Sequence, residues 1–361
     1  MSWAIRPIGT LVEHAGGWQA LNEAETNTPL LDFRFVRDLV GEFSDGSEVI
    51  ATCREGGVIQ AIGILRRVGR FYWATLQPAN APIGLWIAKR GADVEALLRR
   101  LVPVLSSPCG MLSITQQDPD GMPRPAVSKH LATLDYIVTP SLTVPGSFAE
   151  FLGGRSKNFR HNVSRQRNRL KREGVTARLE LLQAPDAMAQ AVADYSALEC
   201  ASWKGEINSA VRMDEPQGRF YVKMLASFAA IGEALVYRYF FGDRLVASDL
   251  CLLRNGTLFI LKTACDETIQ GLSTAHLMRM DAFADLFDKH GVRRVEFYGP
   301  LKEWHTRLTE EKRQMYHVNY YRWPMLKLLD KFRKARRNGA AAGRGAAPGD
   351  TEPHASAGAA A

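Results

Sequence analysis

Residues 234–264, ALVYRYFFGDRLVASDLCLLRNGTLFILKTA, decide the fold. β-branched and aromatic residues fill three short runs. Gly242-Asp243 and Asn255-Gly256 separate them, and these are hairpin turn pairs. The stretch therefore predicts three antiparallel strands joined by two tight turns. A loop follows, and then Leu277, Met280, Phe283, Ala284 and Phe287 recur at helical spacing up to Gly291, a plausible residue just past a helix end. RRVEFYG (293–299) predicts one more strand.

The first half repeats this order. EVIATCREGGVIQAIGILRRVGRFYWATL (48–76) reads as strands, ADVEALLRRLVPVL (92–105) as a helix and GMLSITQ (110–116) as a strand. The repeat predicts an α/β (α+β) protein of two tandem modules. Each has a mixed, mostly antiparallel sheet flanked by helices. The expected segments are 1–145, 146–325 and a third, 326–361. The Pro-rich stretch 118–125 is expected on the surface. Residues 187–203 are expected to be helical. WPMLKLLDKFRKARR (323–337) predicts a basic amphipathic helix, and the Ala, Gly, Pro and Ser-rich remainder predicts a disordered tail.

Composition narrows the function. The 361 residues carry a net charge of +8. Residues 155–172 hold eight Lys/Arg and no acid, and residues 331–344 hold six more and no acid. Charge gathered in two places points to a local anionic partner. Five cysteines without a CxxC spacing argue against disulfides and zinc, so no metal is expected. No stretch is apolar enough to cross a membrane, and the first residues do not read as a signal peptide. A cytoplasmic location is expected, with the inner membrane face open to the terminal basic helix.

Four motifs in order sharpen the fold. RSKNFRHNVSRQRNRLKREG (155–174) is similar to the segment that opens the second domain in the CelD-like and Fem-like (peptidoglycan-bridge aminoacyltransferase-like) branch of the GNAT acyltransferase superfamily. SWKGE (202–206), TLFILKTACDE (257–267) with its following Ser273, and VEFYGPLKEWHTRL (295–308) resemble later motifs of that branch. The chain departs from the pattern at five places, and one is Pro300 where the family has an acidic residue after its Gly. Glu296 stands for the family's Asp, Cys265 for its Tyr, Ser273-Thr274-Ala275 for Ser-Pro-Gly, and Trp304-His305 for Tyr-Lys.

The resemblance implies transfer of an acyl group from acyl-CoA, acetyl-CoA included, to an amino group of a sugar or of an envelope or exopolysaccharide precursor. In the Fem-like branch the donor is instead an aminoacyl-tRNA. A non-catalytic module that binds nucleic acid or a polysaccharide-synthesis partner also stays open.

The candidate residues follow from chemistry. Gln270-Gly271-Leu272-Ser273-Thr274-Ala275 enters a helix, where unpaired N–H groups and a glycine suit a diphosphate; the same residues would also suit an ordinary helix cap. Arg160, Ser164, Arg167 and Lys171 share a helix face, and an acceptor phosphate, free or lipid-linked, or a tRNA backbone would suit it. The resemblance points to Arg160, with Arg167 beside it. Amine acylation needs a base and an oxyanion stabiliser. Asp249 and Glu296 are carboxylates within apolar strands, open to a raised pKa. His305 takes the place of the family's Lys, and Tyr298 offers a phenol to the leaving thiolate. Lys262 is a cation within an apolar strand, suited to a phosphate or carboxylate. Trp203 and Trp304 complete the expected substrate contacts.

Overall fold

A computed structural model describes residues 1–106, 108–202 and 210–330. The first half runs β1 (Ser2–Pro7), α1 (Ala15–Glu25), α2 (Phe33–Phe43), β2 (Val49–Glu55), β3 (Val58–Gly69), β4 (Tyr72–Thr75), β5 (Trp86–Ala88), α3 (Val94–Leu101), β6 (Met111–Gln117) and β7 (Leu131–Thr143). Helices α4 (Phe148–Gly153) and α5 (Lys157–Arg172) connect it to the second half. That half runs β8 (Ala177–Leu182), α6 (Met188–Cys200), α7 (Pro216–Ala229), β9 (Ala234–Phe241), β10 (Arg244–Arg254), β11 (Thr257–Cys265), α8 (Thr274–Lys289), β12 (Arg294–Glu296), α9 (Glu303–Thr306) and β13 (Lys312–Tyr321). Residues 324–330 are helical.

Local chemistry sets these boundaries. Asn255 and Gly256 both take positive φ, 52° and 72°, which a tight Asn-Gly hairpin turn requires. Asp32 caps α2 by accepting from the N–H of Arg34 at 2.9 Å, and Asp93 caps α3 through Ala96 at 3.0 Å. Ser156 caps α5 through Phe159 at 3.2 Å. Gly291, with φ of 60°, follows the end of α8.

The two halves repeat one order: strand, two helices, antiparallel strands, helix, strand. Their sheets merge. The strands lie in the order β1-β2-β3-β4-β6-β13-β7-β12-β11-β10-β9-β8, with β5 beside β3. The join is an exchange. β13 follows β12 in sequence but pairs with β6 and β7 of the first half, while β7 pairs with β12 of the second. One face of the sheet carries a core shared by α1, α2, α6 and α7. There Phe35 and Phe43 meet Phe220 edge-on at 5.3 and 5.9 Å, and Glu42 holds Arg219 and Lys223 at 2.9 and 2.5 Å. The opposite face bears two separate cores, one around α3 and one around α5 and α8.

Candidate active site

The parallel strands β11 and β12 pair at only three positions, Thr257–Arg294, Leu258–Val295 and Phe259–Glu296. The ladder then stops. Tyr298 turns into the left-handed region at φ 44°, and Pro300 has no N–H to donate. The strand expected over 293–299 therefore ends at Glu296. β11 runs on to Cys265, with Leu261 as a bulge against β10, where Leu250 pairs with Lys262 and Cys251 with Ile260. A gap opens between the two strands, and the edge of β11 beyond Phe259 has no strand partner there.

Residues 270–273 lie between the end of β11 and the start of α8, and Thr274 and Ala275 open that helix. Gly271 has φ of 74°, which favours glycine. The side chain of Ser273 makes no capping hydrogen bond, so the ordinary helix-cap reading of this loop does not hold for it. Helix α5 roofs the loop. Gln166 Oε1 accepts from the N–H of Ser273 at 2.6 Å, and Arg169 reaches the carbonyl of Gln270 at 3.5 Å. A Cβ on Gly271 would come within 2.7 Å of the Arg169 guanidinium. Helix α5 buries Phe159, Val163, Gln166 and Leu170 and leaves Arg160 exposed. The segment 155–172 has no acid of its own, but two of its charges find partners outside it: Arg167 pairs with Asp281 of α8, and Arg169 with Glu173 at 2.7 Å.

Glu296 and Tyr298 come together at the junction of the halves. With Phe259 they line a cavity of about 250 Å³ that also takes in Arg254, Arg294 and Asp118. The cavity thus reaches the point where β11 and β12 part. Arg313 of β13 lies 2.8 Å from Glu296 and 2.6 Å from Asp118, and the Tyr298 hydroxyl donates to Asp118 at 2.6 Å. Asp118 belongs to the stretch expected on the surface, yet it is buried, because these two partners draw it in. Burial raises the Glu296 carboxyl above the usual range against the pull of Arg313 and Arg294. Burial, with Asp118 and Glu296 nearby, holds the Tyr298 phenol far above its ordinary value, so it stays protonated.

Asp249 does not face this cavity. It lies on the other face of the sheet, 3.2 Å from Arg279 of α8, which also donates to Thr263 at 2.6 Å. Both members of the pair are buried, and burial raises the Asp249 carboxyl while Arg279 opposes the rise. Trp304 packs 4.4 Å from the Arg279 guanidinium and stacks on His305 at 3.5 Å. His305 Nδ1 accepts from the N–H of Lys302 at 2.9 Å, and burial pulls its pKa down to about 4. The four expected catalytic residues therefore fall into two groups on opposite faces. Lys262 is on the cavity's face, 3.9 Å from Glu199 of α6. Trp203 lies outside the described residues.

Comparison with known proteins fits this geometry. Residues 157–306 match the acetyltransferase (GNAT) domain family. Residues 157–306 are thus similar to a GNAT acetyltransferase domain, within a fold shared with FemX. FemX superposes with a TM-score of 0.53 at 11% identity, covering 90% of this chain and 99% of FemX. The C-terminal domain of a putative lysylphosphatidylglycerol synthetase from Agrobacterium fabrum gives 0.53 at 11%, covering 86% and 92%. A conserved protein from Bacteroides thetaiotaomicron gives 0.54 at 12%, covering 88% and 99%. No curated protein matches the sequence significantly. A GNAT domain implies acyltransferase chemistry and, in general, binding of acyl-CoA.

The scaffold contains polar groups that the motifs do not mark. Arg279 and Arg313 are two. Glu199 is a third: it accepts from the Tyr195 hydroxyl at 2.9 Å and from the N–H of Val211 at 2.8 Å. Arg279 had a signal, a lone cation among the apolar helical positions Leu277, Met278, Met280 and Phe283. Among the described residues no cluster of His, Cys, Asp and Glu gathers with the makings of a metal site.

Proposed function

We propose that the protein is an N-acyltransferase that moves an acyl group from acyl-CoA to an amino group of a sugar or envelope polysaccharide precursor. The parting of β11 from β12 after Phe259 and Glu296 carries this reading. An amide-bearing chain laid in the gap would find the free edge of β11, as an added strand does. Its diphosphate would meet Gly271, the start of α8 and Arg169. For that, Gln166 must release the N–H of Ser273. The acyl carbon would then sit near the cavity lined by Phe259, Glu296 and Tyr298. There Glu296, raised by burial, takes the proton from the acceptor amine. Arg254 and Arg294 line the same cavity, and an acceptor phosphate there would compete with the carboxylates they already hold, Asp32 and Glu233 for Arg254 and Glu296 for Arg294.

One observation favours a second donor. Helix α5 already occupies the loop through Gln166 and Arg169, and the fold is shared with FemX. An aminoacyl-tRNA would set its backbone on the outer, basic face of α5 without opening that roof.

Calorimetric titration with acetyl-CoA, longer acyl-CoAs and charged tRNA separates the two. The first reading expects acyl-CoA binding that Ala275→Trp abolishes and that Gln166→Ala keeps or tightens. It also expects Glu296→Gln to lower kcat with little change in KM. Failure of every acyl-CoA to bind, with salt-sensitive binding of tRNA, replaces the first reading by the second.

A further inference from the structure

Beyond the transfer site, one end of the sheet carries an apolar patch edged with arginines. Trp323, Met325, Leu328 and Leu329 are 49–65% exposed, and Phe71, in the turn between β3 and β4, is 50% exposed. Single exposed apolar side chains are ordinary, but five in one neighbourhood are not. The two segments are held together at Gly110. Its N–H donates to the carbonyl of Phe71 at 2.8 Å, and its carbonyl accepts from Arg322 at 2.9 Å. A Cβ placed there would lie 3.0 Å from Leu326 and 3.5 Å from Phe71.

The helical turn is fixed by its inner side. Lys327 Nζ donates to the carbonyls of Ser128 and Leu131 at 2.5 and 3.0 Å, and Asp330 accepts from the Tyr321 hydroxyl at 2.7 Å. Met325, Leu328 and Leu329, spaced for one helix face, are left facing outward. Their display is a consequence of how the turn is anchored.

The charge around the patch has one sign. Arg70 lies 5.3 Å over the Phe71 ring and Arg322 lies 5.1 Å over Trp323. Arg67 is held beside them by the carbonyls of Gly69 and Arg70. Among the described residues 321–330 the single acid is Asp330, which Tyr321 engages. A second copy of this surface would bring like charges face to face. An anionic sheet with an apolar interior answers both halves of the pattern: arginines to the headgroups, Trp, Phe, Met and Leu to the acyl boundary.

We infer that this surface seats the protein on an anionic phospholipid bilayer, as a peripheral contact made jointly by the β3–β4 turn and the segment after β13. It does not depend on which donor the GNAT domain uses.

Sedimentation of the full chain with vesicles tests it. Vesicles of equal parts phosphatidylglycerol and phosphatidylcholine should pellet the protein, and phosphatidylcholine alone should not. Raised salt should weaken the binding. Met325→Ser with Leu329→Ser should weaken it roughly tenfold or more through lost apolar burial. Arg70→Glu with Arg322→Glu should do so by roughly tenfold through lost attraction. Unchanged thermal melting of both variants excludes unfolding as the cause. Equal binding to both vesicle types, no binding to either, or variants that pellet like the wild type overturn the inference. So does a concentration-dependent dimer in gel filtration that the two serines abolish, since the patch would then belong to a second copy.

Discussion

Asp249 and Arg279 show how a polar pair within a core constrains what either residue can do. Each is almost fully buried, and each is the charge that makes the other tolerable there. Asp249→Asn should therefore destabilise the protein by about 3 kcal/mol or more, because a buried guanidinium loses its carboxylate. Urea unfolding measures this. The double change Asp249→Leu with Arg279→Met should recover much of the loss, since it removes both charges from the interior. If that double variant also keeps its turnover, Asp249 is not the base. The sequence gives Asp249 as a carboxylate in an apolar strand, and such a residue is equally suited to a cleft or to a core partner. Only the position of α8 decides, because Arg279 is far away in sequence. Glu296 raised the same ambiguity, and the partner there, Arg313, sits on a strand that the repeat did not predict.

At the scale of elements, periodicity carried most of the information. The hairpins at 234–264 and 48–76 formed where Asn-Gly, Gly-Asp and Gly-Gly stand between β-rich runs, since those turns fix register locally. The early end of β12 was not legible, because the positive φ at Tyr298 leaves no mark in composition. Two short-range elements now share a pH response. His276 on α8 and His305 on α9 both have pKa values lowered from 6.5 to about 4, first by burial and then by Arg279. In the unfolded chain they protonate near pH 6.5, and in the folded chain only near 4. The unfolded state thus binds more protons between these values. The contribution is full above pH 6.5 and is lost as the pH falls toward 4, by up to about 3 kcal/mol per ring. Asp249, shifted upward by burial, acts in the opposite sense. Urea midpoints between pH 7.5 and 4.5 should fall, and His305→Gln should flatten that fall. An unaltered slope in the variant removes His305 from the account.

For the whole molecule, the decisive feature is the exchange of strands at the centre of the sheet. The repeat in the sequence suggested two modules side by side. The pairing of β13 with β6 and β7, and of β7 with β12, makes each half depend on a strand supplied by the other. This was not legible, because a strand's own sequence says which residues are buried but not which neighbour buries them. The shared core on one face adds contacts between α2 and α7, so the halves lose a common interior if they separate. Arg313 adds a polar tie, reaching Asp118 from the first half and Glu296 from the second. The two halves should therefore unfold together. Scanning calorimetry of the full chain should give a single transition whose calorimetric and van't Hoff enthalpies agree. Arg313→Met, which leaves the buried Asp118 without its cation and Glu296 with Arg294 alone, should shift that transition down as one peak rather than split it. Two transitions in the wild-type protein, each reproduced by one half expressed alone, would mean that the exchanged strands join modules that are already stable by themselves.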